Sequence, residues 1–206
     1  MVQDEKRGTA AGVLLPLMEI LRRAPDAVVT LLPSDHDALA PDDLNTATRA
    51  AEDEARARGD EIVLLGITPS EATSDYGYIV PDEDDDDRSA RVARFVEKPP
   101  RDVARRLLDE GALWSSLILA ARGEVLMELF AVHHPELVLG ALARPRSTEK
   151  CGNVVSWDNH GIPAQDFSRH VMTPAVDRMR VVRAPRCGWS DLGTPERLAE
   201  RVRERS

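Results

Sequence analysis

An acidic residue follows an apolar run in the N-terminal third of the chain. Residues 28–32 are apolar or β-branched, Pro33 ends the run, and Asp35 comes two positions later. An apolar run between two prolines predicts a strand that is buried on both faces. Ligands of an open parallel sheet bind beyond the carboxyl ends of its strands, which makes Asp35 a candidate binding residue. Aspartate and serine are also common in turns, so this stretch alone favours a turn or helix cap over a binding role.

Other residue types that could carry chemistry have weaker patterns. Cys151 and Cys187 have neither the spacing of a zinc site nor that of a disulfide framework, and we interpret both as structural thiols. The acidic run at 82–87 lacks the glycine and alternating ligands of a calcium loop, which favours a solvated hairpin loop. His133 and His134 precede Pro135 and are expected at a helix end, where they can interact with the helix dipole.

Hydrophobic periodicity predicts an alternation of helices and strands, which is typical of the α/β class. The predicted helices cover residues 9–23, 41–59, 101–110, 124–132, 167–179 and a C-terminal segment from 195; the predicted strands cover 28–32, 61–67, 76–80, 92–96, 112–120 and 180–185. Thr194 is the expected N-cap of the last helix, with Pro195 at its first position. Since no internal repeat or linker is visible, we expect one domain over residues 1–206.

Composition excludes several classes of protein. Of the 206 residues, 42% are hydrophobic and 31% are charged, which is typical of a globular chain, and the formal net charge is −9. This charge argues against a nucleic-acid-binding protein, which needs a basic surface. We see no signal peptide and no apolar run long enough to span a membrane. The expectation is therefore a cytoplasmic chain that binds small molecules, with no nucleic-acid or membrane partner.

Seven short stretches, in this order and spacing, resemble the sugar-1-phosphate nucleotidylyltransferases, most of all their mannose-1-phosphate guanylyltransferase branch. They are QDEKRGTAAGVLLPL, LLPSDH, DYGYIV, FVEKP, GALWSS, DFSRHV and CGWSDLGTPERL. The resemblance implies a Rossmann-like, three-layer α/β/α fold with a mixed, mostly parallel sheet. It also implies nucleotidyl transfer from GTP to mannose 1-phosphate with Mg²⁺, and a possible homodimer.

The resemblance assigns roles to individual residues. Asp35 and Asp191 are expected to bind the magnesium ion, and because each follows a predicted strand, they can meet at one edge of the sheet. Lys98 is expected to bind the phosphate of the sugar 1-phosphate, and Glu97 to accept hydrogen bonds from sugar hydroxyls. From the residues alone, Asp191 could be a turn residue, and Lys98 could form a surface ion pair at a strand end.

The remaining site residues lie on three segments of the chain. Those expected beside the nucleotide are Gln3, Arg7, Gly8 and Thr9, and those expected beside the sugar are Tyr76, Gly77, Trp114 and Ser115. Thr9 is also expected to cap the first helix, and Tyr76 could equally be a half-buried aromatic residue.

Three departures from the family pattern affect these expectations. Ser115 replaces a family asparagine that contacts the sugar, and Gly8 replaces a frequent asparagine, which weakens the expectations for mannose and guanine. The glycine-rich G-x-G-x-R loop that cradles the triphosphate is absent. We therefore expect an N-terminally incomplete domain with an unpaired strand edge and weak or no activity as an isolated chain. Two alternatives remain open: a non-catalytic binding or regulatory subunit, and a nucleotidylyltransferase for another sugar 1-phosphate.

Overall fold

A computed structural model of the chain describes residues 2–3, 8–82, 88–143, 146–147, 156–157 and 162–206. For the three two-residue segments it describes the backbone. Arg7, Cys151 and residues 83–87 of the acidic run lie outside the described residues.

Six α-helices are present in the described part of the chain, with one π-helical turn (Ser168–Met172) and one 3₁₀ segment (Thr173–Arg178). The α-helices are α1 (Gly8–Arg23), α2 (Pro41–Arg58), α3 (Arg101–Asp109), α4 (Gly123–His133), α5 (Pro135–Leu142) and α6 (Pro195–Glu204). The strands are β1 (Val2–Gln3), β2 (Val28–Leu31), β3 (His36–Asp37), β4 (Ile62–Ile67), β5 (Gly77–Pro81), β6 (Ala90–Val96), β7 (Leu113–Arg122), β8 (Arg146–Ser147), β9 (Ser156–Trp157), β10 (Met179–Arg183) and β11 (Ser190–Asp191). The longer predicted elements are all present, with ends shifted by a few residues.

The central sheet has the strand order β2-β7-β4-β10-β6-β5, and β5 also pairs with β7. The predicted mixed α/β sheet is confirmed, but its parallel part is smaller than expected. Only β4 and β10 are parallel neighbours among the described strands of this sheet; its other pairings are antiparallel. The reason is that β5 and β6 form a hairpin, and β7 inserts between β2 and β4 in the opposite direction.

Strand β2 lies at the edge of this sheet. It pairs with β7 on one side, its four residues are half-buried, and the following Leu32 is 58% exposed. The prediction that this strand is buried on both faces is therefore wrong. Its apolar composition could not distinguish an edge strand from a central one, because that difference is set by long-range pairing.

Helices cover both faces of the sheet, which confirms the three-layer arrangement. One apolar core joins α1, α4 and α5 to the sheet and includes Leu14, Phe130 and Phe167. The other core joins α2 and α3 to the opposite face and includes Ala51 and Leu107.

Two irregularities shape the edge of the sheet at which the predicted site residues lie. The β4–β7 ladder shifts register between Leu64 and Gly66, and the extra β7 residues form a bulge. Ser116 stabilises this bulge, because its hydroxyl donates to the Leu65 carbonyl at 2.7 Å and accepts from the Ile118 amide at 3.2 Å. Leu117, at the centre of the bulge, adopts a left-handed conformation with a φ of 59°.

No single helix in the described ranges has both the length and the apolar character needed to cross a membrane. The α4–α5 pair would meet that requirement jointly, but it is bent by 109°.

Candidate active site

A cavity of about 520 Å³ opens beside the end of β2, the start of β5, the end of β6 and the first turn of α1. We call it the Asp35 cavity. Of the residues predicted from the sequence, those that line it are Thr9, Asp35, Tyr76, Gly77, Glu97, Lys98, Ser115 and Asp191. The structure therefore brings together residues that are up to 182 positions apart in the chain, namely Thr9 and Asp191.

The two predicted metal-binding acids are brought together by a short strand pair. β3 and β11 are antiparallel, with Asp191 opposite His36, and the Leu192 amide donates to the Asp35 carbonyl at 2.7 Å. Residues opposite each other in such a ladder have their Cβ atoms about 5 Å apart. Asp35, which immediately precedes His36, and Asp191 both line the Asp35 cavity.

The carboxylate of Asp191 has several hydrogen-bond partners, among them the Tyr76 hydroxyl. Its Oδ1 accepts from Arg197 Nη1 at 2.6 Å and from the Gly193 amide at 3.2 Å. Arg197 also pairs with Asp75, and its guanidinium carbon lies 4.9 Å from the centre of the Tyr76 ring. Arg197 therefore connects Asp191 to the loop that carries Tyr76.

This arrangement fits the magnesium ion that the sequence resemblance implies. Asp35 is exposed, and its carboxylate has no hydrogen bond or ion pair to the described part of the chain. Asp191 Oδ1 accepts from Arg197 and from the Gly193 amide, and the Tyr76 hydroxyl also hydrogen-bonds to this carboxylate, so a bound cation would share Asp191 with these donors. No group of three or more metal-binding side chains occurs in the described ranges. Two carboxylates suffice for Mg²⁺, which usually takes its other ligands from water and substrate phosphates.

Glu97 and Lys98 lie at the end of β6, on another wall of the same cavity. Burial raises the pKa of the Glu97 carboxyl, and the charge of Asp166 raises it further, against the opposing charge of Lys98. A Cβ added to Gly77 would lie 2.8 Å from Glu97 Oε2, so a larger residue would displace this carboxyl. Lys98 has a φ of 44°, a strained conformation for a residue with a side chain.

Three aromatic rings separate the Asp35 cavity from a second one. The Tyr76 ring centre lies 4.8 Å from that of Trp114 and 5.4 Å from that of Trp189. Burial raises the pKa of the Tyr76 hydroxyl to about 12, and the negative charge of Asp191 contributes, so this hydroxyl is neutral at neutral pH. Trp114 lines the second cavity, of about 660 Å³. Unlike Tyr76 and Trp189, it does not line the Asp35 cavity, where the sugar is expected.

The N-terminal residues only partly match their predicted positions. Gly8 has a φ of 78°, and a Cβ there would lie 2.3 Å from the Gln165 carbonyl oxygen. The prediction that Thr9 is the N-cap of the first helix is wrong, because the helix begins one residue earlier and Thr9 lies in its first turn. The Thr9 hydroxyl instead accepts from the Phe167 amide at 2.8 Å. Gln3 pairs through its backbone with Trp157.

Several wall residues were not singled out from the sequence, although they lie inside the stretches that carry the resemblance. They are His36 of LLPSDH, Asp75 of DYGYIV, Asp166 of DFSRHV and Trp189 of CGWSDLGTPERL. Trp189 donates from Nε1 to His36 Nδ1 at 3.3 Å. Burial lowers the pKa of His36, against the opposing charges of Asp35 and Asp191.

The chain is similar in sequence to known proteins. The chain is 29% identical over 194 residues to the alginate biosynthesis protein AlgA of Pseudomonas putida, covering 91% of this chain and 39% of that protein. It is 29% identical over 204 residues to a mannose-1-phosphate guanylyltransferase of Klebsiella pneumoniae, covering 94% of this chain and 42% of that one.

The fold is also similar to a solved structure. The crystal structure described as that of a mannose-1-phosphate geranyltransferase from Thermus thermophilus matches with a TM-score of 0.83 and 28% identity, over 100% of this chain and 58% of that chain. The chain spans about two fifths of the length of the two curated relatives. Residues 1–205 match the family model described as nucleotidyl transferase, and the chain belongs to the nucleotidyl transferase family.

Proposed function

We propose that this chain forms a nucleotidyltransferase domain that transfers a guanylyl group from GTP to mannose 1-phosphate, releasing pyrophosphate and forming GDP-mannose. The observation that supports this most is the set of residues around the Asp35 cavity. Asp35 and Asp191 line one part of its wall, and Glu97 and Lys98 line another. Two acids that can hold a metal ion, together with a lysine that can bind a phosphate, suit a reaction between two polyanions.

In the proposed reaction, an oxygen of the sugar phosphate attacks the α-phosphorus of GTP. A new P–O bond forms, and the bond between the α-phosphorus and the bridging oxygen breaks as pyrophosphate leaves. Asp35 and Asp191 would hold a magnesium ion, which supplies positive charge against the reacting phosphates. Lys98 neutralises the phosphate of the sugar substrate as a compact point charge.

The sugar and the base are expected on opposite sides of the phosphates. Glu97 accepts hydrogen bonds from sugar hydroxyls, beside Tyr76, Gly77 and Ser115. Thr9 lies in the first turn of α1, whose positive N-terminal end favours an anionic ligand. Gln3, Arg7 and Gly8 are proposed to lie toward the nucleotide.

Guanine and mannose are proposed because of the names of the relatives. A different sugar substrate also has support, because Ser115 replaces the asparagine expected beside the sugar. Serine is shorter and offers fewer hydrogen-bonding groups than asparagine. Another sugar 1-phosphate, or another nucleotide, therefore remains the alternative to test.

The test is isothermal titration of the 206-residue chain with GDP-mannose, GDP-glucose, UDP-glucose and ADP-glucose, each with and without Mg²⁺. Pyrophosphate release is measured in parallel with the matching triphosphates and sugar phosphates. Magnesium-dependent preference for GDP-mannose supports the proposal, and preference for another nucleotide sugar supports the alternative substrate. Binding with weak or no pyrophosphate release is expected both of the isolated chain and of a non-catalytic binding subunit, and absence of binding to all four nucleotide sugars overturns the proposal.

Lys98→Met tests the phosphate contact, with Arg101→Met as the matched control. Both residues are exposed cations three positions apart, but only Lys98 lines the cavity. Loss of a hydrogen bond to a charged group costs about 1.5–3 kcal/mol, so the Lys98 variant should bind GDP-mannose about 10- to 100-fold more weakly. Equal affinities for the two variants would argue against this role.

A further inference from the structure

His36 lies between the two acids of the site. It follows Asp35 in the chain and stands directly opposite Asp191 in the β3–β11 ladder. Opposite residues in an antiparallel pair project from the same face, and His36 and Asp191 both line the Asp35 cavity. The metal-binding and phosphate-binding roles proposed above do not use this imidazole.

One ring nitrogen of His36 is committed to Trp189. The indole Nε1 donates to His36 Nδ1 at 3.3 Å, and the two rings meet edge to face with centres 5.0 Å apart. An indole N–H can only donate, so Nδ1 must accept and the single proton of the neutral ring lies on Nε2. Trp189 is itself 9% exposed and packs against Tyr76, which fixes the direction of its N–H.

The other ring nitrogen is available to a ligand. In the part of the chain that the structure describes, no residue is hydrogen-bonded to His36 Nε2, although Asp35 and Asp191 are its neighbours. The ring is half-buried, and it contributes to the wall of the Asp35 cavity. A fixed, neutral N–H donor thus borders the place where the phosphates are proposed to bind.

We propose that His36 is a binding residue that donates a hydrogen bond from Nε2 to a phosphate oxygen of the bound nucleotide sugar, and that Trp189 sets its tautomer. This inference rests on the proposed function. A phosphate oxygen is the expected acceptor because a cation held by the two flanking acids draws phosphates to this wall, whereas the sugar is proposed beside Glu97. A charged imidazole would be attracted to the two carboxylates. The neutral ring has no such charge, so its N–H can be directed to the ligand.

Two substitutions separate the two ring nitrogens. In His36→Asn the side-chain amide oxygen can replace Nδ1 as the acceptor for Trp189, but the donor toward the cavity is lost. In His36→Gln the amide N–H can reach the position of Nε2, but the Trp189 N–H loses its acceptor. Trp189→Phe keeps an aromatic ring and removes the indole N–H.

The experiment measures the dissociation constant for GDP-mannose with Mg²⁺ and the thermal midpoint Tm of each full-length variant. We expect His36→Asn to bind about 10- to 100-fold more weakly with a Tm near that of the wild type. We expect His36→Gln to bind within about threefold of the wild type but to have a Tm lower by about 2–6 °C, because a buried donor is left unpaired. Trp189→Phe should weaken binding less than His36→Asn, since the ring then has both tautomers available.

If the wild type binds GDP-mannose and His36→Asn binds it with the same affinity, this inference is overturned and the proposed function still stands. The same holds if His36→Gln loses as much affinity as His36→Asn while its Tm is unchanged. A wild-type chain that binds none of the four nucleotide sugars would overturn the proposed function, and this inference with it.

Discussion

Replacing Arg197 with methionine should destabilise the chain and loosen its candidate site. The charge-assisted bond to Asp191 joins side chains that are 20% and 19% exposed, and a hydrogen bond to a charged group in such a place contributes about 1.5–2 kcal/mol. The pair with Asp75, which is 56% exposed, contributes about 0.5 kcal/mol. The contact with the Tyr76 ring contributes about 0.5 kcal/mol. The expected loss of unfolding free energy is therefore about 2.5–3 kcal/mol, which lowers the Tm of a chain of this size by about 5–12 °C.

The assay is urea and thermal unfolding of Arg197→Met beside Arg203→Met, a substitution on the same helix. Arg203 is exposed, and its guanidinium Nε donates to the Ala199 carbonyl one turn earlier, so its loss should cost less than about 0.5 kcal/mol. In about 1 M NaCl the difference between the two variants should shrink slightly, because salt screens the exposed Asp75 pair. A Tm of Arg197→Met within about 2 °C of that of Arg203→Met would refute this account of the Arg197 contacts.

Three further predictions concern the strained and buried residues of the site. Lys98 has a φ of 44°, so Lys98→Gly should be about 1 kcal/mol more stable than Lys98→Ala in urea unfolding, whereas equal stabilities would show that the backbone is not strained. Gly8→Ala should cost about 3 kcal/mol or more, because its Cβ would collide with the Gln165 carbonyl; Gly140→Ala, whose Cβ would meet only Ile162 at 3.8 Å, should be neutral or stabilising. Burial raises the pKa of Glu97 above its ordinary value of 4.5. The protonated carboxyl therefore stabilises the fold fully below pH 4.5, and this stability is lost as the pH rises through the raised pKa of the folded state. Glu97→Gln should remove that loss in a pH series of Tm values, and an unchanged series would contradict it.

The sequence was informative where local patterns determine the structure. The terminal helix begins at Pro195 with the Thr194 hydroxyl accepting from the Arg197 amide at 3.3 Å, as its capping residues predict. The buried strand at 62–67 was also predictable, because its apolar run has no polar face. In both cases the information lies within a short stretch of consecutive residues.

Features that depend on long-range pairing could not be predicted in this way. The edge position of β2, the pairing of β5 with β7 and the bulge at Leu117 all depend on which strands become neighbours. The prediction for Thr9 was wrong for the same reason, because the segment at 165–167 satisfies hydrogen bonds at the start of α1.

In the candidate site, too, local motifs could be predicted and contacts between distant segments could not. The resemblance of whole motifs indicated Asp35 and Asp191, and the structure places both on one cavity wall. The resemblance did not indicate the side-chain contacts of Arg197 with Asp75 and Asp191, or the contact of Trp189 with His36. Except for that between Arg197 and Asp191, these contacts join residues far apart in the chain, and no spacing rule encodes them.

The central claim is that Asp35 and Asp191 jointly hold the cation that binds the phosphates. Its most direct test is calorimetric titration of GDP-mannose into the wild type, Asp35→Asn, Asp191→Asn and the control Asp109→Asn, an exposed acid at the end of α3, each with and without Mg²⁺. We predict that Mg²⁺ strengthens binding to the wild type and to Asp109→Asn about tenfold or more, and that this gain is lost in both site variants. A magnesium-dependent gain of equal size in Asp35→Asn or Asp191→Asn would contradict the account.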